Sequence, residues 1–386
     1  MKLDTFYNQV DLYRKEKIVY AHFLKPHRTL ATGRMHGGVH ETLDYLINHQ
    51  CCEPTKHSGI DLFDIIGTDP ARYLKRITSK AGIESQQAAI LNTAANMNNS
   101  AIQRAEYDGL EVVAVCTAGV GSNAGRAGDP ASYQQTAEGY KPCGLPAPKA
   151  GTMITMLFIN QELTPGALVV AATVATEAKS ALLQELTAPS RYAGGIATGT
   201  GTDQIGIAAL IATEVCHNDA NKHCKLGELI GIATRGALQQ ALNLQCGMTP
   251  DSRRSSIIQL ERFGETQEAF QQAIAARLPE AMQALFNNNF LSVNHDPVTV
   301  AAVQACVHLK DQINWGVLPK SCAKESLLYQ AGLIARAVSG KQITPETFLN
   351  DWNVGDLADS NADFLQLIHQ AFAHGFALKW QGRFED

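Results

Sequence analysis

No run of lysines or arginines occurs anywhere in the 386 residues, and the formal net charge is −5. Nucleic acid binds clustered cations, so the chain makes no electrostatic case for a nucleic-acid partner. Charged residues are also scarce, 18% of the chain against 45% hydrophobic. That balance excludes a disordered chain and describes a folded protein with a lightly charged surface. The opening stretch "MKLDTFYNQVDLYRKEKIVY" lacks the apolar core of a signal peptide. Nowhere do the roughly 18 uninterrupted apolar residues of a membrane span occur. A cytoplasmic location without membrane association is expected.

Several signatures of familiar chemistry are missing as well. There is no GxxxxGK(S/T), which argues against an ATPase of the P-loop type, no HExxH and no CxxC. The nine cysteines are odd in number and scattered, so they do not form a disulfide framework. The segment "CHNDANKHC" gathers Cys216, His217, His223 and Cys224. Zinc accepts such ligands, but the CxxC hairpins that orient thiolates are missing, and the segment reads as a polar surface loop. In "GRMHGGVHE", His36 and His40 lie four apart and Glu41 follows the pair instead of lying inside it. His36 could face a ligand, or the glycines could form a turn entering an amphipathic helix over 39–48.

What is present is a succession of strand-like runs that stop at glycines. "KIVYAHF", "RTLATG", Leu110–Cys116, Met153–Ile159 and Ile205–Leu210 read as strands, and so does Leu168–Thr176, followed by a helix over Glu177–Leu186. "SQQAAILNTAANMNNS" reads as a helix that ends near Asn98 and Asn99. "KLGELIGIATRGALQQALN" carries apolar residues at the 3.6 period and reads as a long amphipathic helix. Beyond a break around 247–256 the patterns are almost wholly helical. The fold class expected is α/β or α+β: a mixed β-sheet body covered by helices over 1–248, then a helical C-terminal region over 249–386.

The glycine-rich segments carry the polar chemistry. "CTAGVGSNAG" follows a strand as a dinucleotide fingerprint would, yet Gly128 and Pro130 interrupt the helix that the fingerprint needs. What remains is a loop exposing Thr117, Asn123, Arg126 and Asp129 for hydrogen bonding to amides or hydroxyls. "TVATEAKS" places Glu177 and Lys179 at a strand-to-helix junction where both could reach a ligand, Glu177 otherwise serving to cap the helix. "ATGTGTD" alternates Thr198, Thr200 and Thr202 with Gly199 and Gly201 and ends on Asp203. Such a run can orient a water and bind a developing oxyanion, the two needs of amide hydrolysis.

"TAGVGSNAGRAGDPA", "TEAKSALLQEL" and "GGIATGTGTD", in this order and with "GTMITMLFINQELTPGALVVAA" between, closely resemble the adenosylcobinamide amidohydrolase family over approximately residues 28–245. The resemblance implies hydrolysis of the amide that joins the aminopropanol arm to the corrin's propionyl side chain, giving adenosylcobyric acid for corrinoid salvage. It implies a corrinoid substrate and no cofactor beyond the cobalt that substrate carries. It carries over Thr117, Asn123, Arg126, Gly128 and Asp129, then Glu177 and Lys179, then Thr198 to Asp203. One departure is His36, which precedes Gly37 and Gly38 where family members often have asparagine.

Within that expectation Asp203 is the first choice for activating water, Glu177 the competing base, and Lys179 the balancing charge or oxyanion donor. His36, Thr117, Asn123, Arg126, Asp129 and Thr198 to Thr202 are substrate-binding candidates. A noncatalytic corrinoid or small-molecule binding protein, or acyl transfer through Cys116, Thr117 or Thr200, are the alternatives. The helical region over 249–386 is left as a lid, a dimerisation surface of a homo-oligomer, or packing. Because the histidines and cysteines form no complete metal-binding signature, turnover is expected to survive removal of protein-bound metal that leaves corrinoid cobalt in place. Near-total loss restored by stoichiometric zinc is the opposite outcome.

Overall fold

The computed structural model describes residues 1–51, 66, 68–144, 150–342, 352 and 354–381. The chain divides into two compact units, Met1–Met248 and Thr249–Asp386.

The first unit is built on two sheets. One has five strands, β1 (Lys2–Phe6), β2 (Val10–Lys15), β3 (Ile18–Phe23), β6 (Tyr45–Gln50) and β7 (Ala88–Thr93), paired in that order. The other has six, in the order β5 (Gly38–His40), β4 (His27–Ala31), β16 (Gln204–Leu210), β13 (Met153–Ile159), β9 (Leu110–Ala118) and β8 (Ala101–Tyr107). Neighbours are antiparallel except for β6 with β7 and β13 with β16. A parallel pair needs a long crossover, usually helical. Helix α1 (Pro70–Ala81) lies between β6 and β7 in the chain, and α2 (Pro165–Glu185) between β13 and β16.

The two sheets stack face to face. Phe6, Leu12, Val19, Leu46 and Leu91 of the first meet Val113, Val115, Ile154, Met156 and Phe158 of the second in one buried cluster. The sheets approach closely at Gly206, where a β-carbon would lie 2.8 Å from both methyls of Leu46. The outer face of the first sheet is covered by α1 through Tyr73, Leu74 and Ile77. That of the second is covered by α2 and by α3 (Lys225–Cys246) through residues such as Leu168, Ala171, Leu229, Ile230 and Ala237. The layering is thus helix, sheet, sheet, helices. It explains why all seven residues of β13 are buried and why β9 alternates between two cores, Val112, Ala114 and Cys116 going to one and Val113 and Val115 to the other.

Three helix and strand expectations are corrected by this layering. Residues 39–48 form no helix: β5 ends at His40 and β6 begins at Tyr45. Residues 88–93 are β7, flanked by short 3₁₀ turns at Ser85–Gln87 and Met97–Asn99. In β6 and β7 both faces are buried, so polar and apolar residues do not alternate and the period of two is hidden. Conversely, Leu168–Thr176 is helix. Thr164 caps α2 by accepting from Ala167 N, Pro165 opens it, and Thr173 and Thr176 return their hydroxyls to Val169 and Ala172 carbonyls. Capping and packing against the sheet outweigh the weak strand preference of valine and threonine.

Helix α2 is long and apolar enough to cross a membrane by length and composition. In the fold Ala167, Leu168, Ala171, Val174, Ala175, Leu182 and Leu183 are buried.

The second unit is helical among its described residues. Its main helices are Gln267–Ala275, Glu280–Asn294, Pro297–Asn314, Ala323–Ser339 and Asn361–Trp380. They enclose a phenylalanine-rich core that includes Phe270, Phe286, Phe364, Phe372 and Phe376. Among the polar groups buried there, Arg262 forms an ion pair with Asp311, and Lys310 donates to the carbonyls of Leu357 and Ala358 at 2.9 and 2.7 Å.

His27, at the start of β4, is fully buried. Its Nδ1 is 2.7 Å from Lys25 O and its Nε2 3.1 Å from Tyr7 OH. Burial lowers its pKa from 6.5 to about 4. The unfolded chain therefore binds a proton here that the folded chain refuses, and stability falls as pH drops from 6.5 through 4. This one residue is expected to remove about 3 kcal/mol by pH 4. Urea unfolding at stepped pH should show a shallower loss in His27→Gln than in the parent; equal slopes would contradict the assignment.

Candidate active site

The site is assembled at the ends where the parallel strands β13 and β16 begin. Asp203 immediately precedes β16, and each of its oxygens accepts two hydrogen bonds. Oδ1 takes Met153 N at 2.9 Å and the Thr200 hydroxyl at 2.6 Å. Oδ2 takes Thr200 N at 2.9 Å and Lys179 Nζ at 2.6 Å. Both partners of the ion pair are 14% exposed at the side chain. Lys179 comes from the middle of α2, so one helix, one strand start and one turn meet at a single carboxylate.

Gly199 is glycine because of this pair: a β-carbon there would clash with Asp203 Oδ2 and lie 2.9 Å from Lys179 Nζ. The turn is held from outside by a short ladder between β10 (Ala124–Gly125) and β15 (Gly199–Thr200). Thr198 reinforces it, its hydroxyl accepting from Ala127 N at 2.9 Å and its N–H donating to Gly125 O at 2.9 Å.

Next to the turn lies a second polar cluster. Asn123 Nδ2 donates to Gly151 O at 2.7 Å and lies 3.4 Å from the Thr202 hydroxyl, which is 2.6 Å from that of Thr152. The Tyr192 hydroxyl donates to Asn123 Oδ1. Asp129 Oδ2 accepts from Arg126 N at 2.7 Å and the Ser190 hydroxyl at 2.6 Å, and Arg126 donates to Ile196 O. Arg126 and Asp129 thus tie the loop 119–130 to the segment 190–197.

A cleft of about 690 Å³ runs over this framework, bounded by Arg126, Tyr133, Lys179, Tyr192, Thr200 and Asp203. A smaller cavity of about 270 Å³, reached by Thr32, Met153, Thr155 and Gln204, shares Thr176, Lys179 and Asp203 with it. The ion pair is therefore a common wall of both. Clefts of this size are typical of small-molecule sites. The arrangement can supply a carboxylate, an ammonium and a hydroxyl to one polarised bond.

Not every residue singled out in the sequence comes to this place. Glu177 is not at a strand-to-helix junction: it sits within α2, about 200° around the helix from Lys179. It is exposed and paired with Lys222 at 2.7 Å. Thr117 and Asn123 are not exposed. Thr117 faces the space between the sheets, where its hydroxyl accepts from Asn48 Nδ2 at 2.9 Å, and Asn123 is buried by the contacts above. Cys116 is wholly buried in β9, and burial pushes its thiol up to about 12, so it is no ready nucleophile. His36 is half-buried with its Nδ1 2.8 Å from Ala88 O, and its ring lies edge-on to His40. Glu41 pairs with Arg28 at 2.6 Å. Among the described residues no group of three or more His, Cys, Asp or Glu side chains is gathered as a metal would require. His217 bonds to Gln161, and Cys216 is exposed.

Tyr192, Thr152 and Ser190 belong to the site without having been singled out. Tyr192 stands in "SRYAGG", directly before "IATGTGTD", and that proximity is the one signal available.

The family model for adenosylcobinamide amidohydrolase (CbiZ) matches residues 3–250, close to two thirds of the chain and all of the site. The chain belongs to this family. It is also similar to the uncharacterized protein MJ1613 of Methanocaldococcus jannaschii, 36% identical over 176 residues, which are 44% of this chain and 68% of that protein. Among solved structures, the PH0078 protein from Pyrococcus horikoshii OT3 matches over 61% of this chain and 77% of its own, with 14% identity. The TM-score there is 0.29, too low to support an argument about fold.

If Gly199 serves the ion pair, Gly199→Ala should destabilise the first unit by roughly 1–3 kcal/mol, the usual range for overpacking. Denaturant unfolding would measure it. A parallel Gly201→Ala variant, whose β-carbon would meet Asn123 only at 3.7 Å, should cost less; the reverse order would disprove the reading.

Proposed function

We propose that the first unit hydrolyses the amide between the aminopropanol arm and the corrin's propionyl side chain of adenosylcobinamide. The products are adenosylcobyric acid and 1-amino-2-propanol. The observation that supports this reading is the Lys179–Asp203 pair at the wall of the cleft, in a chain of the amidohydrolase family. The enzyme is read as cytoplasmic and soluble, acting in corrinoid salvage with no cofactor beyond the cobalt of its substrate.

Amides resist water because the nitrogen lone pair is delocalised into the carbonyl. The site must therefore deprotonate water, hold the oxyanion and protonate the leaving nitrogen. Asp203 takes the water's proton on Oδ1, giving up the Thr200 hydroxyl bond to do so. The carbonyl oxygen becomes an oxyanion beside the Lys179 ammonium, which has two N–H groups left after bonding Asp203. The C–N bond then breaks as Asp203 returns its proton to the nitrogen. Tyr192, its hydroxyl held by the buried Asn123, shapes the cleft wall, and Arg126, Asp129 and Thr198 keep the loop in register. Glu177, on the far face of α2, has no part in the chemistry.

The 2.6 Å contact of the Thr200 hydroxyl with Asp203 favours one further reading, in which Thr200 attacks and forms an acyl-enzyme. Mass spectrometry after a rapid substrate quench separates the two, since only the second leaves added mass on Thr200.

Asp203→Asn is expected to keep adenosylcobinamide affinity but to slow single-turnover release of 1-amino-2-propanol by roughly 10²-fold or more. Lys179→Met should do likewise, and Glu177→Gln should be near normal. Titration and release measured on the same folded variants decide it: equal losses of affinity and rate at Asp203, or normal turnover, would remove it as the base. No release by the parent protein would point to a noncatalytic corrinoid binder.

A further inference from the structure

A pocket on the outer face of the five-stranded sheet, beside the last turns of α1, plays no part in the reading above. It has a volume of about 130 Å³, and its described lining includes Lys15, Lys17, Arg76, Lys80 and the ring of His49, with Glu16 as the acid among them. Among the described lining residues Lys15, Arg76 and Lys80 outnumber the acid Glu16 in a chain whose formal charge is −5. Lys15 and Lys17 come from the end of β2 and its turn into β3; Arg76 and Lys80 lie one helical turn apart on α1.

One of the lining residues, His49, is buried. His49 is 4% exposed, and its Nδ1 lies 2.6 Å from the Tyr73 hydroxyl. Tyr73 is itself 2% exposed, and among the described residues its hydroxyl has no other partner. A buried phenol keeps its proton in a hydrogen bond, so Tyr73 donates to Nδ1. In the neutral ring the remaining hydrogen is then on Nε2, which has no partner among the described residues. Burial first, then the nearby charges of Lys17 and Lys80, lower the His49 pKa to about 3, so the ring is neutral at pH 7.

We propose that this pocket binds a phosphate-class dianion, held by Lys15, Arg76, Lys80 and the His49 Nε2–H, at a site separate from the Asp203 cleft. A tetrahedral anion offers acceptor oxygens in several directions, which suits donors arriving from the strand end, from the helix face and from beneath. Arg76 can hold two oxygens at once. The last turn of α1 opposes an anion through its dipole, an effect weaker than a single charge-assisted hydrogen bond.

Inorganic phosphate is the probe, titrated into the full chain against chloride at constant ionic strength. Calorimetry and the His49 ring ¹⁵N resonances are the readouts. Saturable binding is expected, with a shift at His49 Nε2 that chloride does not produce. Arg76→Ala and Lys80→Ala, both at the surface of α1, should each weaken binding by about tenfold or more, the scale of one hydrogen bond to a charged group. Absence of saturable binding, a shift that chloride reproduces, or unchanged affinity in both variants would overturn the proposal.

Discussion

The central strands of the six-stranded sheet have no face left for water, and the rest of the first unit follows from that constraint. One side is pressed against the five-stranded sheet and the other against α2 and α3. Burying a side chain of valine or leucine size is worth about 1.5–3 kcal/mol, so strands such as β9 and β13, buried along almost their whole length, anchor the unit. Loops cannot share that interior, because their backbone polar groups need partners. Polar chemistry is thereby driven to the strand ends. There Asp203 can draw on Met153 N, the first residue of β13, and on Lys179 from the helix that crosses over.

The same constraint governs what could be read from the residues. Leu110–Cys116, Met153–Ile159 and Ile205–Leu210 stand out as strands because long β-rich runs end at glycines. The helical C-terminal patterns and α3 stand out because each keeps one polar face. Residues 45–50 and 88–93 mislead for the opposite reason: buried on both faces, they lose the alternation that marks a strand. Leu168–Thr176 misleads because its β-branched residues belong to a helix whose start is set by Thr164 and Pro165. That there are two stacked sheets, and not one, depends on pairings between distant segments that no local pattern encodes.

At the candidate site, sequence proximity carries some positions and not others. Thr198 to Asp203 form one turn, so their grouping is visible as "TGTGTD". Lys179 is 24 residues earlier and joins them only because α2 lies against the turn. Its neighbour in sequence, Glu177, is carried to the opposite side by the same helix. Tyr192 and Thr152 reach Asn123 and Thr202 through folding alone. The family match ends at residue 250, where Gly247 closes α3 in the left-handed conformation and Thr249 begins a new capping box.

Gly206 ties the site to the interior in a further way. Three residues after Asp203, the backbone of β16 is in contact with Leu46 and Leu91 of the facing sheet, with no room for even a methyl group. The carboxylate is therefore indexed to the middle of the sandwich and not to a surface loop. Of its two backbone donors, Met153 N is the first residue of β13 and buried, so that bond is released only by a partial opening of the sheet end. A carboxylate arranged in this way is held in place by the sheets themselves, and any change in the shape of the cleft falls to the outer loop segments that wall it.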